Sequence, residues 1–162
     1  MCITYPNSLK IHAGDAIVGD LYFKLAQGEA EAKLMNSVCF DTFTLGNHEF
    51  DNGDRSLLNF LNMLGDSSNC AQKTQVLSAN VNFGDASALQ GNSIVQPYTV
   101  IEKQGQKIGL IGVTTAFKTK YSSRPDTNTT FADETATVQH YINELKQQGI
   151  DKIIVQSHIG YQ

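Results

Sequence analysis

Three side chains that could take part in chemistry lie within five residues of one another: Asn47, His48 and Asp51. The amide oxygen of Asn47 is a neutral metal ligand, and the imidazole of His48 can bind a metal or transfer a proton. A carboxylate three residues further on, at Asp51, can hold that imidazole in one tautomer and stabilise its charged form. The alternative is that these are loop residues that hydrogen-bond to their own backbone.

The segments on either side of this cluster indicate where it lies in the fold. Residues 42–45 are apolar and predict a short buried strand. After the cluster, four leucines have the spacing of one helix face: Leu57, Leu58, Leu61 and Leu64. The cluster therefore follows the carboxyl end of a strand, where open α/β sheets place ligand sites.

Two more polar residues follow strand-like runs. Asp15 comes after residues 9–12, and His158 comes after the run 152–156. On the residues alone, Asp15 is equally compatible with a turn and a ligand site, and His158 with a hydrogen-bonded core histidine. His12, inside the first run, is predicted to be a packed or solvent-facing strand residue. Carboxylate, imidazole and amide at strand ends together form a donor set for divalent metal ions.

Three blocks of this sequence resemble those of a known family. Residues 46–51, GNHEFD, resemble the signature of 5'-nucleotidases, which are dimetal phosphoesterases of the calcineurin-like superfamily. Residues 13–19 resemble the family's GDxxxG block, and residues 157–160 resemble its SHxG block, in the family's order. The resemblance implies an α/β fold of the calcineurin-like metallophosphatase type, with two packed β-sheets flanked by helices.

The resemblance also implies roles for individual residues. Asp15 would bridge two divalent metal ions, such as zinc or manganese, and Asn47 and His158 would bind the second ion. Asn47 and His48 would contact the substrate phosphate. His48 would stabilise charge in the transition state, with Asp51 as its partner.

The activity that the resemblance implies is metal-dependent hydrolysis of nucleoside 5'-monophosphates to nucleoside and phosphate, by metal-activated water. A 2',3'-cyclic phosphodiesterase, a UDP-sugar hydrolase or a thiosulfohydrolase would share these blocks. A non-catalytic, truncated domain that binds partners is an alternative from a different class.

The sequence departs from the family pattern at both ends. Residues 1–162 match a metallophosphoesterase catalytic domain without its first, DxH, and last, GHxH, blocks, and without the carboxyl-terminal nucleotide-binding domain. We therefore expect the isolated chain to hold at most one ion weakly and to be inactive. Because the absent DxH block belongs to a core strand in the family, we also expect a homodimer or a swapped assembly.

Composition narrows the range of partners. The formal net charge of −4 argues against a nucleic-acid-binding surface, and no apolar run is long enough to span a membrane. No signal peptide is visible. The resemblance and the Asn128 glycosylation sequon nevertheless predict an extracellular, periplasmic or cell-surface protein.

Three cysteines leave their pairing open. Cys39 has apolar neighbours and is predicted to be a buried thiol, and a disulfide between Cys2 and Cys70 is an unsupported alternative. Among the acidic residues, Glu49 is predicted to be structural, and Asp54 is predicted to cap the leucine-bearing helix.

The carboxyl-terminal half predicts a hairpin and one more helix. Residues 98–103 and 107–113 flank a Gln-Gly-Gln turn, and the second of these strands is apolar enough to be central. Residues 117–131 are predicted to form a long polar loop, after which Asp133 caps a helix. Alternating strands and helices indicate an α/β fold.

Overall fold

The computed structural model of the protein describes residues 7–17, 21–65 and 70–160. Within them, helices and strands alternate as the sequence predicts. In chain order the elements are β1 (Ile11–His12), α1 (Leu21–Ala26), α2 (Glu29–Val38), β2 (Thr42–Thr44), a 3₁₀ turn (His48–Phe50), α3 (Gly53–Gly65), β3 (Gln75–Leu77), β4 (Val81–Asn82), β5 (Val95–Gln96), β6 (Tyr98–Lys103), β7 (Gln106–Thr114), α4 (Ala116–Ser122), β8 (Thr130–Phe131), α5 (Glu134–Gln147) and β9 (Lys152–His158).

The first sheet is parallel and has the order β1-β2-β3-β5. Its second strand, β2, is buried along its whole length, as predicted for residues 42–45. Helices α2 and α3 pack on each other beside this sheet, and Phe60 of α3 meets Phe43 of β2 edge-on at 6.1 Å. The leucine face of α3 lies in the same hydrophobic core. Burial of this apolar face accounts for the stability of the helix better than helix propensity does.

The second sheet has the order β6-β7-β9. Strands β6 and β7 form the predicted hairpin, in which Lys103 faces Gln106. Its two loop residues, Gln104 and Gly105, have φ of 50° and 71°, as a type I′ turn requires. Strand β9 pairs in parallel with β7, so β7 is central, as its apolar sequence predicts.

The two sheets pack face to face across a thin interface. A Cβ added to Gly112 of β7 would collide with the β-carbon of Leu77 in β3, so this approach requires glycine. Polar pairs also cross the interface, because Thr42 Oγ1 donates to Gln156 Oε1 at 2.7 Å and Thr114 Oγ1 donates to the Leu45 carbonyl at 2.7 Å. The predicted arrangement of two packed sheets flanked by helices is confirmed.

The predicted loop 117–131 is wrong in part, because α4 and β8 lie within or across it. The sequence of α4 gave no helix signal since its two aromatic residues, Phe117 and Tyr121, are exposed and contact each other with tilted rings instead of facing the core. Strand β8 is two residues long and pairs with β4. The predicted cap of α5 is confirmed, because Asp133 accepts a hydrogen bond from the Ala136 amide at 2.7 Å.

Asp54 has a different role from the predicted helix cap. It lies inside the first turn of α3 and is fully buried. Its carboxylate accepts hydrogen bonds from the hydroxyls of Ser87 and Thr129, each at 2.5 Å, and from the Asp126 amide at 3.2 Å. Asp54 therefore fastens two distant loops to α3, which explains its burial.

Cys39 and Cys70 form a disulfide, with their Cα atoms 5.5 Å apart. The prediction of a free buried thiol at Cys39 is therefore wrong, and Cys70 has no sulfur left for Cys2, which lies outside the described residues. The bridge joins the end of α2 to the segment before β3. In the described part of the chain, no helix has the length and apolar character needed to cross a membrane.

Candidate metal and phosphate site

The structure brings Asp15 and His158 into contact, although 143 positions separate them in the sequence. Asp15 lies in the loop after β1 and His158 ends β9, and Asp15 Oδ2 is 3.0 Å from His158 Nε2. The other carboxylate oxygen, Oδ1, accepts a hydrogen bond from the His48 amide at 3.0 Å. The three strand-end segments predicted from the sequence therefore meet at Asp15.

The orientation of the His158 ring follows from its second nitrogen. Nδ1 lies 2.7 Å from the Ala13 carbonyl, which can only accept, so Nδ1 carries the proton. The charged ring then donates from Nε2 to Asp15, whereas the neutral ring has a lone pair on Nε2 that can bind a metal ion. The hydrogen bond that Nε2 donates to the Asp15 carboxylate raises the pKa of His158. Burial raises the pKa of Asp15, but hydrogen bonds from His158 and the His48 amide outweigh it and lower that pKa.

Asn47 is buried, with 7% of its surface exposed. Its backbone carbonyl accepts from the Phe50 amide at 3.1 Å, whereas its side chain hydrogen-bonds to no protein group within residues 7–17, 21–65 and 70–160. The side-chain amide atoms still reach solvent, which leaves the amide oxygen available as a ligand. Asn47 directly precedes the residue whose amide binds Asp15.

Glu49 holds the two loops together. It is 1% exposed, and its Oε2 accepts from the amides of Gly46 at 2.5 Å and Asp15 at 2.9 Å. Its Oε1 accepts from the amides of Ala16 at 2.6 Å and Ile17 at 3.3 Å. Burial raises the pKa of Glu49, and these four backbone donors oppose that shift. Glu49 is structural, as predicted, but the sequence did not reveal its part in the site, because three of its four backbone partners lie more than 30 residues upstream.

Two glycines allow the close approach of these loops. A Cβ on Gly46 would strike the Asp15 carboxylate, and a Cβ on Gly14 would lie 2.7 Å from both the Gly46 amide nitrogen and His158 Nδ1. Gly14 also has a φ of 100°, which favours glycine. Residues 18 and 19 of the same block lie outside the described residues.

His48 and Asp51 form the predicted pair, with Nδ1 of the imidazole 2.6 Å from Oδ2 of the carboxylate. The 3₁₀ turn His48–Phe50 places them on one side of the loop, and both are partly exposed. The hydrogen bond that Nδ1 donates to the Asp51 carboxylate raises the pKa of His48. The pair therefore holds a proton on Nδ1 and leaves Nε2 free for a ligand.

His12 packs as predicted for a strand residue. Its ring meets the rings of Phe40 and Phe43 edge-on at 5.2 and 5.4 Å. Burial and the neighbouring His158 lower the pKa of His12. The lowered pKa favours the neutral imidazole, which adds no charge to the site.

Asp15 and His158, which are in contact, and Asn47 in the neighbouring loop fit a divalent metal ion in type. Asp15, His158 and Asn47 contribute a carboxylate, an imidazole and a free amide oxygen, which suit zinc, manganese and similar ions. In the part of the chain that the structure describes, no group of three or more His, Cys, Asp and Glu side chains forms a metal site. Asp15, Asn47 and His158 therefore supply some of the ligands of a metal site and not a complete set.

Comparison with known proteins gives consistent relatives, although no family model matches. The chain is 46% identical to a probable 5'-nucleotidase of Treponema pallidum, and 48% identical to an NAD 5'-nucleotidase of Haemophilus influenzae, over 96% of its own length in each case. It spans only 25% and 24% of those relatives. Human 5'-nucleotidase is 34% identical over 97% of the chain, which covers 26% of that protein.

Comparison with solved structures finds the same kinds of protein as the sequence comparison. The Haemophilus influenzae NAD nucleotidase superposes with a TM-score of 0.83 at 47% identity, over 94% of this chain and 25% of that one. A 5'-nucleotidase precursor from Thermus thermophilus gives a TM-score of 0.84 at 35% identity, over 96% and 28%. A calcineurin-like phosphoesterase from Bacillus subtilis, 24% identical with a TM-score of 0.70, supports the fold alone.

Proposed function

Because this chain belongs to the 5'-nucleotidase family, we propose that it is part of a protein that hydrolyses nucleoside 5'-monophosphates to nucleoside and phosphate. One observation supports this most directly. The Asp15–His158 contact lies against the loop that carries Asn47, His48 and Asp51, so donors for a metal ion and a proton-carrying pair share one side of the fold.

Asp15, Asn47 and His158 are the residues of this chain that would hold divalent metal ions, with Asp15 as the bridge. Two such ions, when bound, lower the pKa of a water molecule and neutralise phosphoryl oxygens. Asn47 would also direct its amide to the phosphate. His48 would donate from Nε2 to the phosphoryl group as charge develops, while Asp51 keeps the Nδ1 proton in place and stabilises the charged ring.

We further propose that the full-length protein contains DxH and GHxH blocks and a carboxyl-terminal nucleotide-binding domain. The described residues offer the first ion Asp15 alone, whereas catalytic sites usually keep three protein ligands per ion. The 162-residue chain should accordingly bind fewer than two ions after dialysis and should hydrolyse AMP no faster than the buffer blank.

The experiment compares that chain with the full-length protein in one assay. The full-length protein should bind two ions per molecule and release phosphate from AMP with saturation kinetics. The same assay with a 2',3'-cyclic nucleotide and a UDP-sugar separates the related phosphoesterases. A full-length protein that holds two ions and hydrolyses none of these esters would refute the proposed activity.

An exported location is proposed as well. The Cys39–Cys70 disulfide supports it, because such bonds persist in oxidising compartments. Fractionation of the source cells should recover the protein outside the cytosol with this disulfide intact. Recovery from the cytosol with both thiols reduced would contradict the proposal.

A homodimer of the chain is supported by strand β9, which pairs with β7 on one side only among the described strands. Val155 in β9 and Ile159 just beyond it are 40% and 47% exposed. Such an edge can pair with the same edge of a second copy. Light scattering of the 162-residue chain should give twice its mass, and a Val155→Lys variant should be monomeric. A monomeric wild-type chain would refute the dimer.

A further inference from the structure

Asn52 and Gly53 form the one Asn-Gly pair in the sequence. They lie where the 3₁₀ turn that carries His48 is joined to the first turn of α3. Asn52 is exposed and lines two neighbouring clefts, one beside the His48–Asp51 pair and one along α3. The proposed mechanism gives neither Asn52 nor Gly53 a role.

The fold favours glycine at position 53. Its φ of 78° lies in the left-handed region, and a Cβ there would lie 3.3 Å from an Asp126 carboxylate oxygen. Asp126 is held in place, because its amide donates to the buried Asp54 at 3.2 Å. The structure therefore disfavours a side chain after Asn52, which would shield the Asn52 carboxamide from the next backbone nitrogen.

The two groups that could react with each other are not engaged by the protein. Within residues 7–17, 21–65 and 70–160, the Asn52 side chain makes no hydrogen bond and the Gly53 amide donates to no acceptor. The Gly53 amide is one of the four that begin α3 without a partner inside the helix, and the positive end of the helix dipole favours loss of its proton. A deprotonated backbone amide is the nucleophile that attacks an asparagine side chain.

We propose that Asn52 is a site of spontaneous deamidation, with water as co-reactant, and that the product weakens binding of the phosphate substrate. The Gly53 nitrogen loses its proton to solvent and bonds to Cγ of Asn52, while the side-chain nitrogen takes up a proton and leaves as ammonia. Water then opens the cyclic imide. Opening at Cγ gives aspartate, and opening at the main-chain carbonyl gives isoaspartate, which lengthens the backbone. Each product carries a carboxylate in place of the amide.

The new carboxylate changes the charge of the cleft beside His48. The lining contains two cations, Lys24 and Arg124, and one carboxylate, Asp51, so its formal charge falls from +1 to zero with His48 counted as neutral. The effect on substrate rests on the proposed function, which places an anionic phosphate at His48. One additional exposed charge should weaken the binding of this anion about two- to five-fold.

The first arm of the test follows the chemistry alone. The 162-residue chain is incubated at mildly acidic and mildly alkaline pH, and peptide mapping by mass spectrometry measures the replacement of NH by oxygen at each asparagine. Asn52 should convert, and faster at alkaline pH, because the attacking amide has to lose its proton. Protein isoaspartyl methyltransferase should label the same peptide. Circular dichroism checks that the chain stays folded.

Asn92 is the matched control within the same chain. It is also exposed and precedes a small residue, Ser93, but its Oδ1 accepts a hydrogen bond from the Ile94 amide at 2.9 Å. Asn92 should remain unmodified over the period in which Asn52 converts. Equal conversion of the two would overturn the proposal, because exposure alone would then set the rate. Conversion of Asn52 in urea but not in the folded chain would show that the structure protects it, and would overturn the proposal too.

The second arm measures AMP hydrolysis by the full-length protein. Asn52→Asp reproduces the aspartate product and should raise KM about two- to five-fold, whereas Asn52→Gln keeps a neutral amide and should leave KM unchanged. On storage, the wild type should lose activity in step with conversion of Asn52, and Asn52→Gln should retain it. Equal KM values in the two variants refute the effect on phosphate binding. A protein that does not hydrolyse AMP refutes the proposed function, and the deamidation is then decided by the first arm.

Discussion

Replacing Gly46 with alanine tests whether close packing of two loops positions Asp15. The added Cβ would lie 2.6 Å from the Asp15 amide nitrogen and would also strike its carboxylate. Ordinary contact begins at 3.4 Å, so Asp15 has to move by about 0.8 Å. The Asp15 amide is 2.9 Å from Glu49 Oε2, and a movement of this size breaks that hydrogen bond.

The magnitude follows from these two effects. Overpacking of this kind costs about 1–3 kcal/mol, and a lost hydrogen bond to a carboxylate costs about 1.5–3 kcal/mol. We expect Gly46→Ala to lower the free energy of unfolding by about 3–5 kcal/mol, as measured by urea denaturation of the 162-residue chain. In the full-length protein the displaced Asp15 should lower Mn²⁺ affinity about 10–100-fold, as measured by calorimetry.

Gly65→Ala is the matched control. Gly65 ends α3, no described atom lies within 4 Å of the added Cβ, and alanine favours a helix by up to about 1 kcal/mol. The control should therefore be as stable as the wild type or more stable, with unchanged Mn²⁺ affinity. If Gly46→Ala matches this control in stability and affinity, Asp15 is not positioned by contact with the Gly46 loop and the reasoning fails.

Three more predictions concern the His48–Asp51 pair and the disulfide. His48→Asn in the full-length protein should lower kcat about 10²–10⁴-fold with metal content retained, and loss of metal would show that His48 is a ligand. Asp51→Asn should lower the pKa of His48 in an NMR titration, since the Asp51 hydrogen bond raises it. The stability from this pair is present below the ordinary histidine pKa and is lost as pH rises through the raised pKa. Joint replacement of Cys39 and Cys70 by serine should lower the free energy of unfolding by about 2–4 kcal/mol in urea, because the disulfide closes a loop with a sequence separation of 31. Unchanged stability would contradict that estimate.

Sequence patterns predicted the elements whose residues face one core. Strand β2 and helix α3 have apolar spacings that local reasoning detects, and the β6–β7 hairpin has a turn sequence with a defined geometry. Helix α4 has no such pattern, because its aromatic residues, Phe117 and Tyr121, lie at the surface. Elements without a buried face are therefore the ones that sequence reasoning missed.

Polar contacts between residues far apart in the sequence could not be predicted, for a different reason. The buried carboxylate of Asp54 accepts from the Thr129 hydroxyl, 75 positions away in the sequence. The local sequence around Asp54 indicates only a helix cap, because it contains no information about Thr129. Disulfide connectivity has the same limitation, because three cysteines permit several pairings and only the fold brings Cys39 to Cys70. Residue type indicated that these groups matter, but their partners followed only from the three-dimensional arrangement.

Glu49 shows how the site is assembled from segments that are far apart in the chain. Its carboxylate accepts hydrogen bonds from amides of the Asp15 loop and of Gly46, and the His48 amide donates a hydrogen bond to the Asp15 carboxylate. All of these contacts use backbone donors, so the position of Asp15 is set by the protein and does not depend on a bound ion. Burial of the Glu49 carboxylate carries a desolvation cost, which raises its pKa. Hydrogen bonds from four backbone amides oppose that cost. The GNHEFD block thus combines two roles in six residues: Asn47 and His48 are the proposed ligand-contacting residues, and Glu49 fixes the loop that carries Asp15.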